Sequence, residues 1–170
     1  MKEKETSPLL LVLAFPITLI IATFFARIHI TILGSPLYIY PFIYPLTYLF
    51  SCIILKETDL KSALSMMAIA QVAQSIAFII GWVILGKMDQ LLMIYTFLAV
   101  LIEQLILIYT YDFLIKIKKD TYMPLLILLF VVSLINNFLF GAFIEGYILS
   151  VSILARLIYA IILPVLIARK

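Results

Sequence analysis

The chain has 170 residues, of which 66% are hydrophobic and 12% are charged, and its mean hydropathy is +1.25. Soluble domains contain roughly 45–50% apolar and about 25% charged residues, so this composition excludes a water-soluble globular domain and a disordered tail. The net charge of +3 is too small to indicate nucleic-acid binding. The single cysteine, Cys52, excludes an internal disulfide. The composition therefore predicts an integral membrane protein.

Long apolar runs follow one another along the chain. A helix needs about 20 mostly apolar residues to cross a hydrocarbon layer of about 30 Å, and its backbone amides must be paired within the segment. Six runs meet this requirement and predict helices over residues 8–28, 36–55, 62–86, 90–115, 121–143 and 146–168. The loops between them are short, so we expect one all-α domain over residues 1–170, a compact bundle of six transmembrane helices.

The positive charges predict the orientation. The first apolar run is longer than the roughly 7–15 residues of a signal-peptide core, so we expect an uncleaved helix. Cations cluster at the ends of the chain and in alternate loops, at Lys2, Lys4, Lys56, Lys61, Lys116, Lys118, Lys119, Arg169 and Lys170. Such residues favour the cytoplasmic side, which predicts a multi-pass protein of the plasma or inner membrane with both termini in the cytoplasm.

Two charged residues stand near the middle of predicted helices. Insertion of an ionised side chain at that depth costs about 2.5–3.5 kcal/mol, so Glu103 and Arg156 require an explanation. Three alternatives remain open: an ion pair that fixes helix packing, contact of at least one of the two with a ligand, or a Glu103 that is protonated by desolvation.

The other candidate ligand contacts are neutral. Gln74 shares a helix face with Ala70, Ala77 and Gly81, so it is as compatible with a link between helices as with ligand binding. Pro41 and Pro45 each remove a backbone donor, which exposes carbonyls that a neighbour or a ligand must satisfy. The remaining neutral candidates for ligand contact are Tyr44, Thr47, Tyr48, Gln104 and Asn137. The pattern predicts an outward-facing pocket at membrane mid-depth for a flat, polar, uncharged or weakly charged molecule.

One segment resembles a known family. Residues 44–63 read YPLTYLFSCIILKETDLKSA, and this resembles the signature F-P-L-T-Y-L-x-T-D-x-x-x-E-x-Y-G-x-K-x-A of the VUT family of vitamin-uptake and queuosine-precursor transporters. The matching residues are Pro45, Leu46, Thr47, Tyr48, Leu49, Lys61 and Ala63. The chain departs from the signature where the family's two acidic residues fall on Cys52 and Lys56 and its glycine falls on Asp59.

The resemblance implies a six-helix importer of a queuosine precursor, which is a 7-deazapurine, or of a vitamin-like compound. A flat ring would stack on Tyr44 or Tyr48. Glu103 would accept hydrogen bonds from a guanine-type edge, and Gln104 or Asn137 would satisfy its carbonyl side.

Two other functions remain open. The first is a substrate-binding S component of an energy-coupling-factor importer, which needs ATPase and scaffold partners; the spacing of Ala22 and Ala26 resembles the A-x-x-x-A pattern of such components. The second is a structural or assembly protein whose polar groups lock the helices together. The sequence contains no serine elbow, zinc-binding histidine pair or phosphate loop. We therefore expect no enzyme activity, catalytic residue, metal or cofactor, and the expected partners are a small-molecule substrate and the lipid bilayer.

Overall fold

The computed structural model describes residues 8–24, 29–32, 35–38, 40–85, 90–119, 121–140 and 150–168. Over these residues the fold is helical apart from one short hairpin. The elements in chain order are α1 Pro8–Phe24, β1 His29–Ile32, β2 Ser35–Tyr38, α2 Tyr40–Ile43, α3 Leu46–Glu57, α4 Leu60–Leu85, α5 Gln90–Lys116, α6 Tyr122–Phe140 and α7 Ser150–Ala168. The predicted helical class is confirmed for every long element, and five of the six predicted helices are present with ends that differ by a few residues.

The second predicted helix, residues 36–55, is wrong in its first part. Strand β2 pairs with β1 in an antiparallel hairpin, in which Ile32 lies opposite Ser35 and His29 lies opposite Tyr38. The β-branched residues of β1 favour a strand. Pro36 lacks an amide hydrogen, but a sheet of two strands has only edges, where proline is tolerated. A short apolar run does not by itself distinguish a strand from a helix, and this is why the sequence prediction failed here.

The rest of that segment is a helix broken at Tyr44 and Pro45. Proline cannot donate to the carbonyl four residues earlier, so α2 ends after one turn. The chain resumes through two tighter bonds, from the Thr47 amide to the Tyr44 carbonyl at 2.9 Å and from the Tyr48 amide to the Pro45 carbonyl at 3.1 Å. The second predicted helix is therefore interrupted where Pro45 removes a backbone donor.

Helix α3 lies at the centre of the molecule. It packs against α1, α4, α5 and α7, although its 12 residues span only about 18 Å. Seven of these residues are buried: Thr47, Tyr48, Ser51, Cys52, Ile53, Ile54 and Leu55. Around this centre, α4 packs on α1 and α5, α6 packs on α5 and α7, and α2 packs on α1 and α7. Residues of α3 are therefore placed to contact several helices at once.

The outer surface of the long helices is strongly apolar. Val83 on α4 and Phe138 on α6 are more than 70% exposed, and the surface is continued by Ile69, Ile76, Phe113, Ile127 and Ile161. The interior, in contrast, contains the buried side chains of Gln74, Glu103 and Gln104. Among the described residues, Leu60–Ile80 and Phe97–Lys116 are long and apolar enough to cross a membrane, and Leu13–Thr23, Tyr122–Ile135 and Leu157–Ala168 are shorter apolar helices.

Candidate functional site

A buried hydrogen-bonded cluster joins α5 to α3. The Ser51 hydroxyl donates to Gln104 Oε1 at 2.7 Å, and Gln104 Nε2 donates to Thr47 Oγ1 at 3.1 Å. All three side chains are buried. Ser51 and Thr47 are four residues apart, so they lie on one face of α3 and both reach the same amide. Both polar atoms of Gln104 are therefore paired inside the protein.

The same cluster continues into the helix break. The Thr47 hydroxyl donates to the Tyr44 carbonyl at 2.7 Å, so this carbonyl is satisfied by both the hydroxyl and the amide of one residue. The rings of Tyr44 and Tyr48 pack edge to face, with centroids 5.5 Å apart and planes at 86°. Both rings are buried. Neither ring presents an open face for stacking in this conformation, so the predicted stacking of a flat ligand would require them to move.

A second carbonyl near the break is satisfied from α7. The Tyr159 hydroxyl donates to the Phe42 carbonyl at 2.6 Å, which ties α2 to α7. Sequence analysis predicted that the prolines would expose carbonyls that a neighbour or a ligand must satisfy. Here a neighbouring side chain does so.

A separate polar cluster joins α4 to α1. Gln74 Nε2 donates to Thr23 Oγ1 at 2.7 Å, so the predicted link between helices is present. Gln74 Oε1 has no hydrogen-bond partner in the described part of the chain, and the same holds for both amide atoms of Gln71, one turn earlier. A buried polar group left unpaired costs about 1–3 kcal/mol. The hydrogen bonding of this cluster among the described residues is therefore incomplete, whereas both amide atoms of Gln104 are paired.

The charged candidates are only partly described. Glu103 is buried on α5, next to Gln104 in the chain. Arg156 and Asn137 belong to α7 and α6, but their side chains lie outside the described part of the structure. The predicted contact between Glu103 and Arg156 therefore stays a prediction, and so does the role of Asn137.

Two of the positions at which the chain departs from the VUT signature have structural consequences. Cys52 is fully buried on α3 and offers a thiol where the family has a carboxylate. Lys56 Nζ donates to the Ile167 carbonyl at 3.2 Å, in the last turn of α7. A cation is favourable at the carboxyl end of a helix, and an acidic side chain at this position could not donate this bond. Lysine at residue 56 thus joins the ends of α3 and α7.

The structure therefore divides the predicted site into two described clusters. One cluster contains Ser51 and four predicted site residues, Tyr44, Thr47, Tyr48 and Gln104. The other contains Gln74 of α4, which pairs with Thr23 of α1. The sequence analysis did not select Ser51, Thr23, Gln71 or Tyr159 as site residues. The i+4 spacing from Thr47 could have identified Ser51, whereas Thr23 required knowledge of which helices pack together. All the described candidates are enclosed, so the predicted outward opening stays a prediction.

Within the described ranges, no three His, Cys, Asp or Glu side chains lie close enough together to hold a metal ion. Comparison of the chain with protein-family models, with curated proteins and with solved structures finds no match.

Proposed function

We propose that this chain is a multi-pass membrane transporter for a small polar solute. The inverted distribution of polarity supports this proposal. Large apolar side chains cover the outside of α4, α5, α6 and α7, while amides and hydroxyls pair inside. Soluble monomers rarely expose apolar patches larger than a few hundred Å². In a bilayer the same apolar surface would contact lipid chains. Six helices that cross the membrane would place the polar clusters in the interior of the bundle.

The observation that carries the proposal is the break in the central helix. Helix α3 is surrounded by four other helices and starts at a proline turn, beside which the Thr47 hydroxyl binds the Tyr44 carbonyl and the Tyr159 hydroxyl binds the Phe42 carbonyl. Interrupted helices at membrane depth are tolerated where they are buried in protein or line a cavity. In several transporter folds they form the substrate site. The break in this chain is the natural position for such a site.

Transport requires the site to open, and the break supplies a hinge. The candidate side chains Tyr44, Thr47, Tyr48 and Gln104 are enclosed in this structure. From outside α3, Gln104 and Tyr159 each donate one hydrogen bond to residues beside the break, to Thr47 and to the Phe42 carbonyl. Loss of such a bond costs little, about 0.5–1.5 kcal/mol, so these two bonds do not hold the break rigidly closed.

The first solutes to test follow from the resemblance to the VUT family. We propose a queuosine precursor, hence a 7-deazapurine, or a vitamin-like compound. The family's two acidic positions are Cys52 and Lys56 in this chain. A solute whose recognition needs those carboxylates is therefore disfavoured, and a neutral ring is favoured.

Uptake by proteoliposomes tests the proposal. We expect saturable accumulation of radiolabelled 7-deazaguanine by the wild type. We also expect a loss of about tenfold or more in Glu103→Gln, because a hydrogen bond of about 1.4 kcal/mol corresponds to a factor of ten. Tyr48→Ala should lose a similar factor, because alanine removes the ring on which the solute would stack. Ser65→Ala is the matched control, since the Ser65 hydroxyl is exposed and bonds only the Lys61 carbonyl in its own helix. No uptake by the wild type would contradict transport of this class, and unchanged uptake in both variants would remove these two residues from the site.

A structural or assembly role is the second candidate, and the complete pairing of Gln104 favours it. A purely structural bundle would bind no solute and would show no uptake in the same assay. The S-component alternative receives less support. Ala22 is fully buried, so it is not available on an outer face for a scaffold protein. Co-purification of this chain with an ATPase module would favour the S-component function over the structural role.

A further inference from the structure

Two glutamines lie one turn apart on the same face of α4. Gln71 is 4% exposed and Gln74 is fully buried, and residues three apart on a helix are neighbours. Thr23 of α1 accepts the bond from Gln74 Nε2. Ala22 and Ala70, which precede Thr23 and Gln71 in the chain, are also fully buried. We call Thr23, Gln71 and Gln74 the amide cluster.

The amide cluster has hydrogen-bonding capacity that the described chain leaves unused. Gln71 Oε1, Gln71 Nε2 and Gln74 Oε1 have no partner within the described residues. The nearby Ser75 hydroxyl bonds the backbone carbonyl of Gln71, at 2.9 Å, and not its side chain. Two acceptor oxygens and one amide donor group therefore remain, in an interior where unpaired polar groups are unfavourable.

Comparison with Gln104 shows that burial of a glutamine does not by itself leave its amide atoms without hydrogen-bond partners. Gln104 is also fully buried, but its oxygen accepts from Ser51 and its nitrogen donates to Thr47. The same residue type is thus fully paired between α5 and α3 and incompletely paired on α4. The first arrangement stabilises packing, whereas the second leaves polar atoms that no described residue of the chain satisfies.

We propose that Gln71 and Gln74 bind the polar edge of the solute, with Thr23 holding the Gln74 amide in position. This inference rests on the proposed transport function. A glutamine amide pairs well with an edge that has a donor next to an acceptor, as in its two-bond recognition of adenine. The three side chains of the cluster are neutral. The solute class is therefore a neutral planar molecule with adjacent donor and acceptor groups, such as a nucleobase, a lactam or a carboxamide.

Binding and stability measured on the same variants test the inference. The full-length protein, purified in detergent, is titrated with 7-deazaguanine and nicotinamide, and with indole, which has a donor but no acceptor. We expect 7-deazaguanine or nicotinamide to bind and indole to bind at least tenfold more weakly. Gln71→Leu should weaken binding by tenfold or more, and Gln71→Met provides a second variant of similar shape. Ser75→Ala is the control from the same helix.

The unfolding temperature without solute gives an independent readout. Gln71→Leu removes only unpaired polar atoms, so we expect its unfolding temperature to equal or exceed that of the wild type. Gln104→Leu should lower it, because that change removes two formed bonds. A Gln71→Leu or Gln71→Met protein that unfolds earlier than the wild type, or that fails to fold, would contradict the inference.

The outcomes separate this inference from the proposed function. Uptake that persists in Gln71→Leu would overturn the role of the amide cluster and leave transport intact. Gln71-dependent binding without uptake by the wild type would support the cluster and overturn transport. No binding of either 7-deazaguanine or nicotinamide would overturn the proposed solute class.

Discussion

Gln104 illustrates how one side chain joins several parts of the fold. Its amide links α5 to α3 and, through Thr47, reaches the Tyr44 carbonyl at the helix break. Measured bonds of this kind between membrane helices average about 0.6 kcal/mol and reach about 1.7 kcal/mol. Gln104 makes two of them, so its contribution is a measurable fraction of the total stability.

We predict that Gln104→Leu lowers the free energy of unfolding by about 1–2 kcal/mol, because the Ser51 hydroxyl loses its acceptor and the Thr47 hydroxyl loses the donor from Gln104. Denaturant titration in mixed micelles measures this change. The double variant with Ser51→Ala should cost less than the sum of the two single variants, since both remove the same bond. Additive losses would show that the Ser51–Gln104 bond contributes nothing.

Asp59 provides a prediction about pH. It precedes the first residue of α4, and its carboxylate accepts the Ser62 amide at 2.7 Å. Hydrogen bonds from the Ser62 side chain and then from its amide hold the pKa of the Asp59 carboxyl below its ordinary value of about 3.9. A lowered pKa in the folded protein means that the carboxylate stabilises the fold above the unfolded pKa. This contribution disappears as the pH falls through the folded pKa.

We therefore predict that Asp59→Ala unfolds at a lower temperature than the wild type at pH 7, and that this difference shrinks below about pH 4. Thermal unfolding of both proteins between pH 7 and pH 3 measures it. A difference that stays constant over this range would show that the charge of Asp59 does not stabilise the start of α4.

At the residue scale the sequence predicted the burial of Gln74, Glu103 and Gln104 but not how their side chains are paired. Gln74 and Gln104 were selected because an amide inside an apolar run is conspicuous. Whether both atoms of an amide find partners depends on the neighbouring helix and its register, and the spacing within one helix does not contain this information. For that reason Gln71, a polar residue at the same depth as Gln74, was not predicted as a site residue.

At the scale of elements, the short helix α2 depends on its contact with α7. The Tyr159 hydroxyl bonds the Phe42 carbonyl at 2.6 Å. A second tyrosine offers a matched comparison, because the Tyr122 hydroxyl lies 3.4 Å from the Ile161 carbonyl, a long and weak contact.

We predict that Tyr159→Phe loosens α2 while the other helices stay intact. A lost bond of about 0.5–1.5 kcal/mol corresponds to amide exchange that is about 2–10-fold faster. Hydrogen–deuterium exchange of peptides that cover residues 40–48 measures this. Tyr122→Phe should leave the same peptides unchanged, and equal exchange in both variants would contradict the role of Tyr159 at the break.

The long helices were predictable because each is a continuous apolar run with clear ends. The hairpin of β1 and β2 was missed since the run of residues 36–55 has the length of a helix, and periodicity does not separate a strand from a helix over so few residues. Pro41 and Pro45 did indicate the break, because the loss of a backbone donor is a local property. The partner that satisfies the freed carbonyl, Tyr159, is 117 positions from Phe42 and required the tertiary fold.

At the scale of the whole molecule, the orientation in the membrane stays a prediction from the distribution of cations. The only cysteine, Cys52, is fully buried, so labelling of introduced cysteines is measured against a low background. Lys87 lies in the loop between the predicted helices 62–86 and 90–115, on the side opposite the cation clusters. In a Cys52→Ala protein we predict that a membrane-impermeant maleimide labels Lys87→Cys in intact cells and does not label Lys118→Cys until the membrane is opened. The opposite pattern would invert the proposed orientation, and labelling of both would contradict the six-span arrangement.

The central claim is that the broken helix at Pro45 serves transport, and uptake by proteoliposomes containing Pro45→Ala tests it most directly. Alanine restores the amide donor and can adopt the backbone angles of Pro45 at the start of α3, φ −61° and ψ −17°, so we expect the variant to fold. Its unfolding temperature checks that a loss of uptake does not come from unfolding. We predict saturable uptake of 7-deazaguanine by the wild type and uptake lower by about tenfold in Pro45→Ala, with an unfolding temperature that is equal or higher. Equal uptake by the two proteins, or none by the wild type, would contradict the claim.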